Sequence, residues 1–374
     1  MKREITVIAF LTITSWAFSQ TITTPPSGDN QKAKVIQYIG LVKVTIDYSS
    51  PDVHAPNGDD RTDHVWGELV PYGMTNLGFG TATASPWRAG ANENTTISFS
   101  HDVQINNKKL KAGTYGLHLI VEKEKPWTFI FSTNSSSWGS YFYNEQEDAL
   151  RVEASPENSE YNEFLSYNFE DRKTSSTKAV LKWEKKKIGF TIEVPDINNL
   201  YLATIRDELR GGAGFNHLNW VSAATFCVQN NMNLDEALTW AEYAVTGPFV
   251  GQEDFTTLQT KASVLTALNK TAEADVVMKK AIMHQTASIT QVHQYGRSLI
   301  AAGKNEQALE VFKINHEKNP EDKFTTYVGL ARGYEAVGDK KNAIKNWEIA
   351  IKNIPDNQKQ FISVYEAELK KLKG

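Results

Sequence analysis

One cysteine in 374 residues, Cys227, excludes a disulfide within the chain. Stability must therefore come from packed side chains. Cys227, in "AATFCVQ", reads as a small buried residue of a helix and not as a nucleophile. Long apolar runs are missing beyond the first 18 residues, so no later segment has the length of a membrane span. No Lys/Arg run is long enough to follow a phosphate backbone, and 40 basic side chains stand against 44 acidic ones. Nucleic acid is not an expected partner. The signatures G-x-x-x-x-G-K-[ST], H-E-x-x-H, C-x-x-C and G-x-S-x-G are absent as well. No cofactor is expected, and the balance leans away from an enzyme.

The one apolar run opens the chain. In "MKREITVIAFLTITSWAFSQ", Lys2 and Arg3 precede an apolar stretch from Ile5 to Phe18, and Ala17 and Ser19 occupy the small-residue positions of a cleavage site. This pattern is that of a signal peptide over residues 1–19, cut near Ser19 and Gln20. The expected location is periplasmic or extracellular, with no cysteine placed for a lipid anchor.

From residue 20 to 195 the pattern is that of short strands after a polar leader. In "LVKVTIDYS", Val42, Val44, Ile46 and Tyr48 alternate with polar residues, the period of a half-buried strand. "NTTISFS", "VQINNKKLKAGTYGLHLIVE", "PWTFIFST", "ALRVEASP" and "FLSYNFED" continue it, with turns at Asn106-Asn107 and Ala112-Gly113. "AVLKWEKKKIGFTIEV" reads as a closing hairpin turning at Lys185 to Lys187. Eight or nine strands without intervening helical patterns predict an antiparallel β-sandwich or barrel.

At Asp196 the period changes. Residues 196–215 read as a linker helix capped by Asp196 and ended by a glycine-rich hinge at Gly211 to Gly214. Beyond it the chain repeats. Asn269, Gly303 and Gly338 align, as do Ala274, Ala308 and Ala343, and Met278, Phe312 and Trp347; Pro320 and Pro355 close two units. A looser copy surrounds Ala237 and Ala244. This register resembles the tetratricopeptide repeat, whose small, large and proline positions recur at about 34 residues. The resemblance covers residues 216–356, and residues 357–374 read as a solvating end helix. It implies stacked helix pairs with a concave groove for a protein partner. Asn219, Arg297 and Arg332 fall on first helices and are the candidate groove residues.

Chemistry concentrates in two places. "DVHAPNGDDRTDHVWG" gathers His54, Asp59, Asp60, Asp63 and His64, suitable as metal ligands by type but not by spacing. A solvated loop is the reading, and no metal is expected. "PWRAGANE" brings Trp87, Arg88, Asn92 and Glu93 around Gly90, just before a strand. Arg88 offers a planar fork for a carboxylate or phosphate, Asn92 both donors and an acceptor, and Glu93 an acid, a base or a partner for Arg88. Trp87 and Trp138 could wall a pocket or stack on a sugar ring, joined by Arg61, Tyr141 and Tyr143. The alternative is a structural corner, in which Arg88 pairs with Glu93 or caps loop carbonyls and Trp87 plugs the core. His118, alternating with apolar neighbours, reads as a satisfied strand histidine.

The blocks "IDYSSP", "VWGELVPYG", "PWRAGANENTTISFS", "KAGTYGLHLI", "WGSYFY", "EDALRV" and "FEDRK" occur in this order. Together they resemble a secreted bacterial family catalogued as a domain of unknown function, number twenty-nine eleven, some of whose members carry C-terminal repeats. The resemblance implies a β-domain and no activity. The passage "YGMTNLGFGTATASPWR" is longer than the corresponding short passage common in that family, so site geometry does not carry over.

The expectation is thus an exported, non-catalytic interaction protein, with a β module for a small polar or carbohydrate-like ligand and a repeat scaffold for a protein partner. Two alternatives stand beside it: a hydrolase using Arg88 and Glu93 or His54, Asp63 and His64, and a purely structural envelope protein.

Overall fold

The computed structural model describes residues 30–374; the expected signal peptide lies outside them. The chain divides between Ile197 and Asn198 into a β unit and a helical unit.

Among the described residues, ten antiparallel strands build the β unit. They are β1 (Gln31–Ile39), β2 (Val42–Ser50), β3 (Thr96–Phe99), β4 (Val103–Ile105), β5 (Lys108–Leu110), β6 (Gly113–Ile120), β7 (Trp127–Ser132), β8 (Asp148–Ala154), β9 (Glu157–Glu170) and β10 (Ser176–Glu193). One sheet runs β1-β2-β3-β6-β7-β8, the other β5-β4-β10-β9. The alternation in β2 places Val42, Val44, Ile46 and Tyr48 in the core. Across the sandwich Tyr48 meets Tyr167 edge-on at 4.9 Å, and Phe190 meets Phe129 and Phe131 at 4.8 and 5.2 Å. Asn106 and Asn107, both with positive φ, make the tight turn between β4 and β5.

Two strand expectations are corrected. The end of the expected polar leader, from Gln31 on, already belongs to β1, which pairs along its whole length with β2. The Lys185–Lys187 segment is no hairpin turn. It lies inside β10, where register shifts either side of Glu184, itself at φ +52°, bulge one continuous strand against β9. A bulge lets a long strand bend without reversing, and the charged residues mark that irregularity.

The helical unit consists of α1 (Ile197–Leu209), α2 (His217–Gln229), α3 (Leu234–Thr246), α4 (Phe255–Ala267), α5 (Thr271–Met283), α6 (Ile289–Ala301), α7 (Asn305–Lys318), α8 (Thr325–Ala336), α9 (Lys340–Lys352) and α10 (Ile362–Lys373). Helices α2–α3, α4–α5, α6–α7 and α8–α9 form hairpins. The repeat register explains their turns: Asn269, Gly303 and Gly338 all adopt positive φ between the paired helices. Ala274, Ala308 and Ala343 are buried where the helices approach, and Met278, Phe312 and Trp347 fill the layers. The looser first copy is followed by the long Gly247–Asp254 connection, which shifts its spacing.

Residues 196–215 are not a free linker and hinge. Leu202 and Leu209 of α1 are buried with Ala223, Ala224 and Cys227 of α2 and Trp240 of α3, so α1 is part of the helical core. Burial pushes the Cys227 thiol up to about 11, which leaves it protonated and unreactive. At the other end Tyr365, Leu369 and Leu372 of α10 pack on the cluster around Trp347. Among the described residues no helix is long and apolar enough to cross a membrane.

Candidate functional site

The "WRAGANE" block is both a corner and a cleft wall. Its small residues make the corner. The Ala89 carbonyl accepts from Thr95 Oγ1 at 3.1 Å and from Tyr167 Oη at 2.8 Å. The Ala91 amide donates to the Ser49 carbonyl, and a Cβ on Gly90 would meet Thr95 Oγ1 at 2.5 Å. Ala89 and Asn92 both take positive φ, a backbone that turns the block sharply between the sheets. Trp87 pairs its backbone with Leu119 of β6 and donates from Nε1 to the Gly90 carbonyl at 3.1 Å.

The larger residues line a cleft of about 360 Å³. Trp87, Arg88 and Asn92 wall one part of it, with Arg61, Leu69 and Leu77 from the preceding loops and Ser140 and Trp183 completing it. The floor is aromatic: Trp87 stacks on Trp183 at 5.9 Å, and Trp66 contacts Trp87, Trp127 and Trp183 at 4.9 to 5.8 Å. Trp183 is almost fully buried, and its Nε1–H has no acceptor among the described residues.

Arg88 is held on three sides. Its Nη1 donates to the Asn92 carbonyl, its guanidinium lies 5.1 Å from the Tyr141 ring, and Gly139 packs directly behind it. No carboxylate among the described residues pairs with it. Arg61 has neither an ion pair nor a side-chain hydrogen bond among the described residues, although it lines the same cleft. Two arginines thus border an aromatic cleft with no neutralising acid among the described residues.

Glu93, expected beside Arg88, turns the other way. It accepts from Ser49 Oγ at 3.2 Å and faces Lys32 at 3.7 Å, because the left-handed turn at Asn92 separates neighbouring side chains. Trp138 is exposed and does not line the cleft. Tyr143 lies in a separate network, donating to Asp148 at 2.8 Å and accepting from Arg151 at 2.7 Å; burial pushes its hydroxyl well above the usual range. Tyr141 reaches the site through Arg88. His118 is buried with Nδ1 2.9 Å from Ser140 Oγ, and burial, with Arg88 nearby, pushes it down to about 4.

In the histidine-aspartate loop only His54 and Asp60 stay close among the described residues, at 3.7 Å, and His64 and Asp63 turn to outside partners. His54 pairs with Glu163 at 2.9 Å, His64 with Glu68 at 2.8 Å, and Asp63 with Lys185 at 2.7 Å. Among the described residues no group of three or more His, Cys, Asp or Glu could hold a metal ion.

The β unit and its tryptophan-floored cleft coincide with one known family. Residues 30–192 match the family model described as Protein of unknown function (DUF2911). No curated protein matches the chain. Solved structures similar to it include a tetratricopeptide repeat protein from Parabacteroides merdae, at 18% identity over 46% of this chain, with a TM-score of 0.33. The chain spans 66% of that protein's length. YrrB, a tetratricopeptide repeat protein with an unusual peptide-binding site, is 19% identical over 46% of this chain and 85% of its own, with a TM-score of 0.30.

Within the DUF2911 region, sequence reasoning missed Trp183, Leu69, Leu77 and Ser140 as cleft residues. Only Trp183 carried a signal, a tryptophan among inward positions of a strand; the others come from loops without periodicity. In the tetratricopeptide-like unit, Asn219 donates to the Ala213 carbonyl at 2.8 Å and serves its own helix start. Arg297 of α6 is exposed. Arg332 of α8 lies 5.5 Å from the Trp347 ring with its Nε unpartnered among the described residues, and burial, then Arg297, lowers its basicity.

Proposed function

We propose that the chain is a binding protein. Its DUF2911 region takes a small polar ligand carrying an anionic group, and its repeat unit is a scaffold for a protein partner. The observation that carries the first part is Arg61, a cation on the cleft wall with no ion pair or side-chain hydrogen bond among the described residues, which shares the cleft with Arg88, whose fork is positioned but not neutralised among them. Arginine forks match carboxylate and phosphate geometry, and the indole floor suits a sugar or other ring. Supporting a partner role for the repeats is the pair Arg297 and Arg332, on the first helices of successive hairpins and without ion pairs among the described residues. Export to the periplasm or beyond belongs to the same reading and rests on the opening sequence alone.

Binding is favoured over hydrolysis for a physical reason. Glu93 is engaged with Lys32 and Ser49, and His118 is buried and neutral near pH 7. Neither is set as an acid or base against the cleft.

The test is calorimetric titration of the full chain with glucuronate and with inorganic phosphate, repeated on Arg61→Ala. Saturable binding that Arg61→Ala weakens at least ten-fold is expected. Equal heats for both proteins would overturn the cleft reading.

A further inference from the structure

The mouth of the cleft is apolar, although its wall is cationic. Leu69 and Leu77, 44% and 38% exposed, line the cleft itself. Beside them Phe79 is exposed and contacts Tyr141 at 5.5 Å and Phe142 at 6.0 Å. Among the described residues of the β unit, six of the ten large exposed hydrophobic ones (Leu69, Tyr72, Leu77, Phe79, Trp138 and Phe142) fall within residues 69–79 and 138–142. Scattered exposed apolar residues are ordinary; this concentration in two segments that both contribute to the cleft lining, through Leu69 and Leu77 on one side and Ser140 on the other, is not.

The loop that carries Leu77 and Phe79 is held in place. Thr75 and Ser85 close its base with two backbone hydrogen bonds, 2.8 and 3.1 Å. The amides of Thr81 and Ala82 both donate to the Tyr141 carbonyl at 3.1 Å. Gly80, at φ +81°, lies so close to that carbonyl that a Cβ would stand 2.1 Å from it. The same residue, Tyr141, presents its ring to Arg88. One residue thus couples the apolar loop to the cation, through its backbone carbonyl on one side and its ring on the other.

We propose that the cleft binds an amphipathic organic acid, its acidic head on Arg61 and Arg88 and its apolar body against Leu69, Leu77 and the indole floor. This rests on the reading of the cleft as an anion-binding site and narrows its ligand. Charge complementarity requires the acid, since nothing among the described residues neutralises the two guanidinium groups. The rim requires the apolar body, since a fully polar ligand would leave Leu69 and Leu77 in water. At about 360 Å³, the cleft holds roughly a dozen non-hydrogen atoms, taking about 30 Å³ for each as for a water molecule. A compact monoacid fits this space better than a long lipid.

The test titrates the full chain with butanoate, hexanoate, octanoate, the neutral octanamide and glucuronate, read by calorimetry and by fluorescence of the clustered tryptophans. Affinity is expected to rise about two- to four-fold per methylene along the acids. Octanamide is expected to bind at least ten-fold more weakly than octanoate. Leu77→Asp and Leu69→Asp, exposed positions whose melting curves check the fold, should flatten the series. A flat series with glucuronate still bound through Arg61 would overturn this inference and leave the anion site standing. No binding by any acid would overturn both. A chain-length gain that survives both aspartate variants would place the alkyl chain elsewhere and overturn the inference.

Discussion

Gly139 lies against the guanidinium of Arg88: a Cβ built on it would stand 2.4 Å from Cζ and 2.5 Å from Nη1. Its φ of +61° already disfavours a side chain. Gly139→Ala is therefore expected to destabilise the β unit by about 2 kcal/mol and to displace Arg88 without removing its charge. Thermal unfolding and ligand titration of this variant should change together. A wild-type melting curve would show that Arg88 is not fixed from behind.

Arg61 and Arg88 should separate stability from binding. Arg88→Ala removes the cap on the Asn92 carbonyl and the contact with Tyr141, at a cost of about 2 kcal/mol. Arg61→Ala breaks no hydrogen bond or ion pair among the described residues and should stay within about 0.5 kcal/mol of the parent. Urea unfolding followed by tryptophan fluorescence measures both. A large loss for Arg61→Ala would mean that this residue is structural.

Glu93→Gln should matter little. Its ion pair with Lys32 is exposed, so a loss below about 1 kcal/mol is expected. Ligand affinity should stay unchanged, because the side chain points away from the cleft. A strong fall in affinity on titration would return Glu93 to the site.

Both units should weaken in acid. His118 and His293, from an ordinary value of 6.5, are each pushed down to about 4, chiefly by burial. Unfolding lets them take up protons they exclude when folded. Stability is thus full above about pH 6.5 and falls progressively towards pH 4, by on the order of 3 kcal/mol per histidine. Denaturant unfolding between pH 4 and 8 checks the slope, and His118→Gln should flatten the part due to the β unit.

Helix glycines in the repeats should reverse their usual sign. Alanine normally favours a helix over glycine by about 1 kcal/mol. A Cβ on Gly296, Gly329 or Gly333 would instead meet the Phe312 ring at 2.4, 2.6 or 2.9 Å. Phe312 is fully buried and cannot retreat. Gly296→Ala should lower the melting temperature of the helical unit by several degrees, as calorimetry would show.

Much of the architecture was legible because it rests on local periodicity. The alternation in β2 marked its inward face, and the spacing of Ala274, Ala308 and Ala343 marked the close approaches of paired helices. Loops gave no such signal. The strand reversal expected at Lys185–Lys187 is a bulge, because continuity of β10 depends on its partner β9 and not on the three lysines. The hinge expected at residues 196–215 is packed, because Leu202 and Leu209 find cover that no local pattern announces. Arg88 and Asn92 were recognisable as site candidates by residue type. Glu93 was misplaced beside them, because one left-handed residue redirects its neighbour.

By itself the sequence determined the period of each half, the position of the change between them and the absence of a disulfide, since these follow from spacing and residue type. Only the tertiary structure decided that Arg61, twenty-seven residues before Arg88, shares a cleft with it and with Trp183. That meeting depends on how the long connection between β2 and β3 folds back on itself and onto the bulged strand β10, and close packing over long sequence separations leaves no periodic trace in the chain.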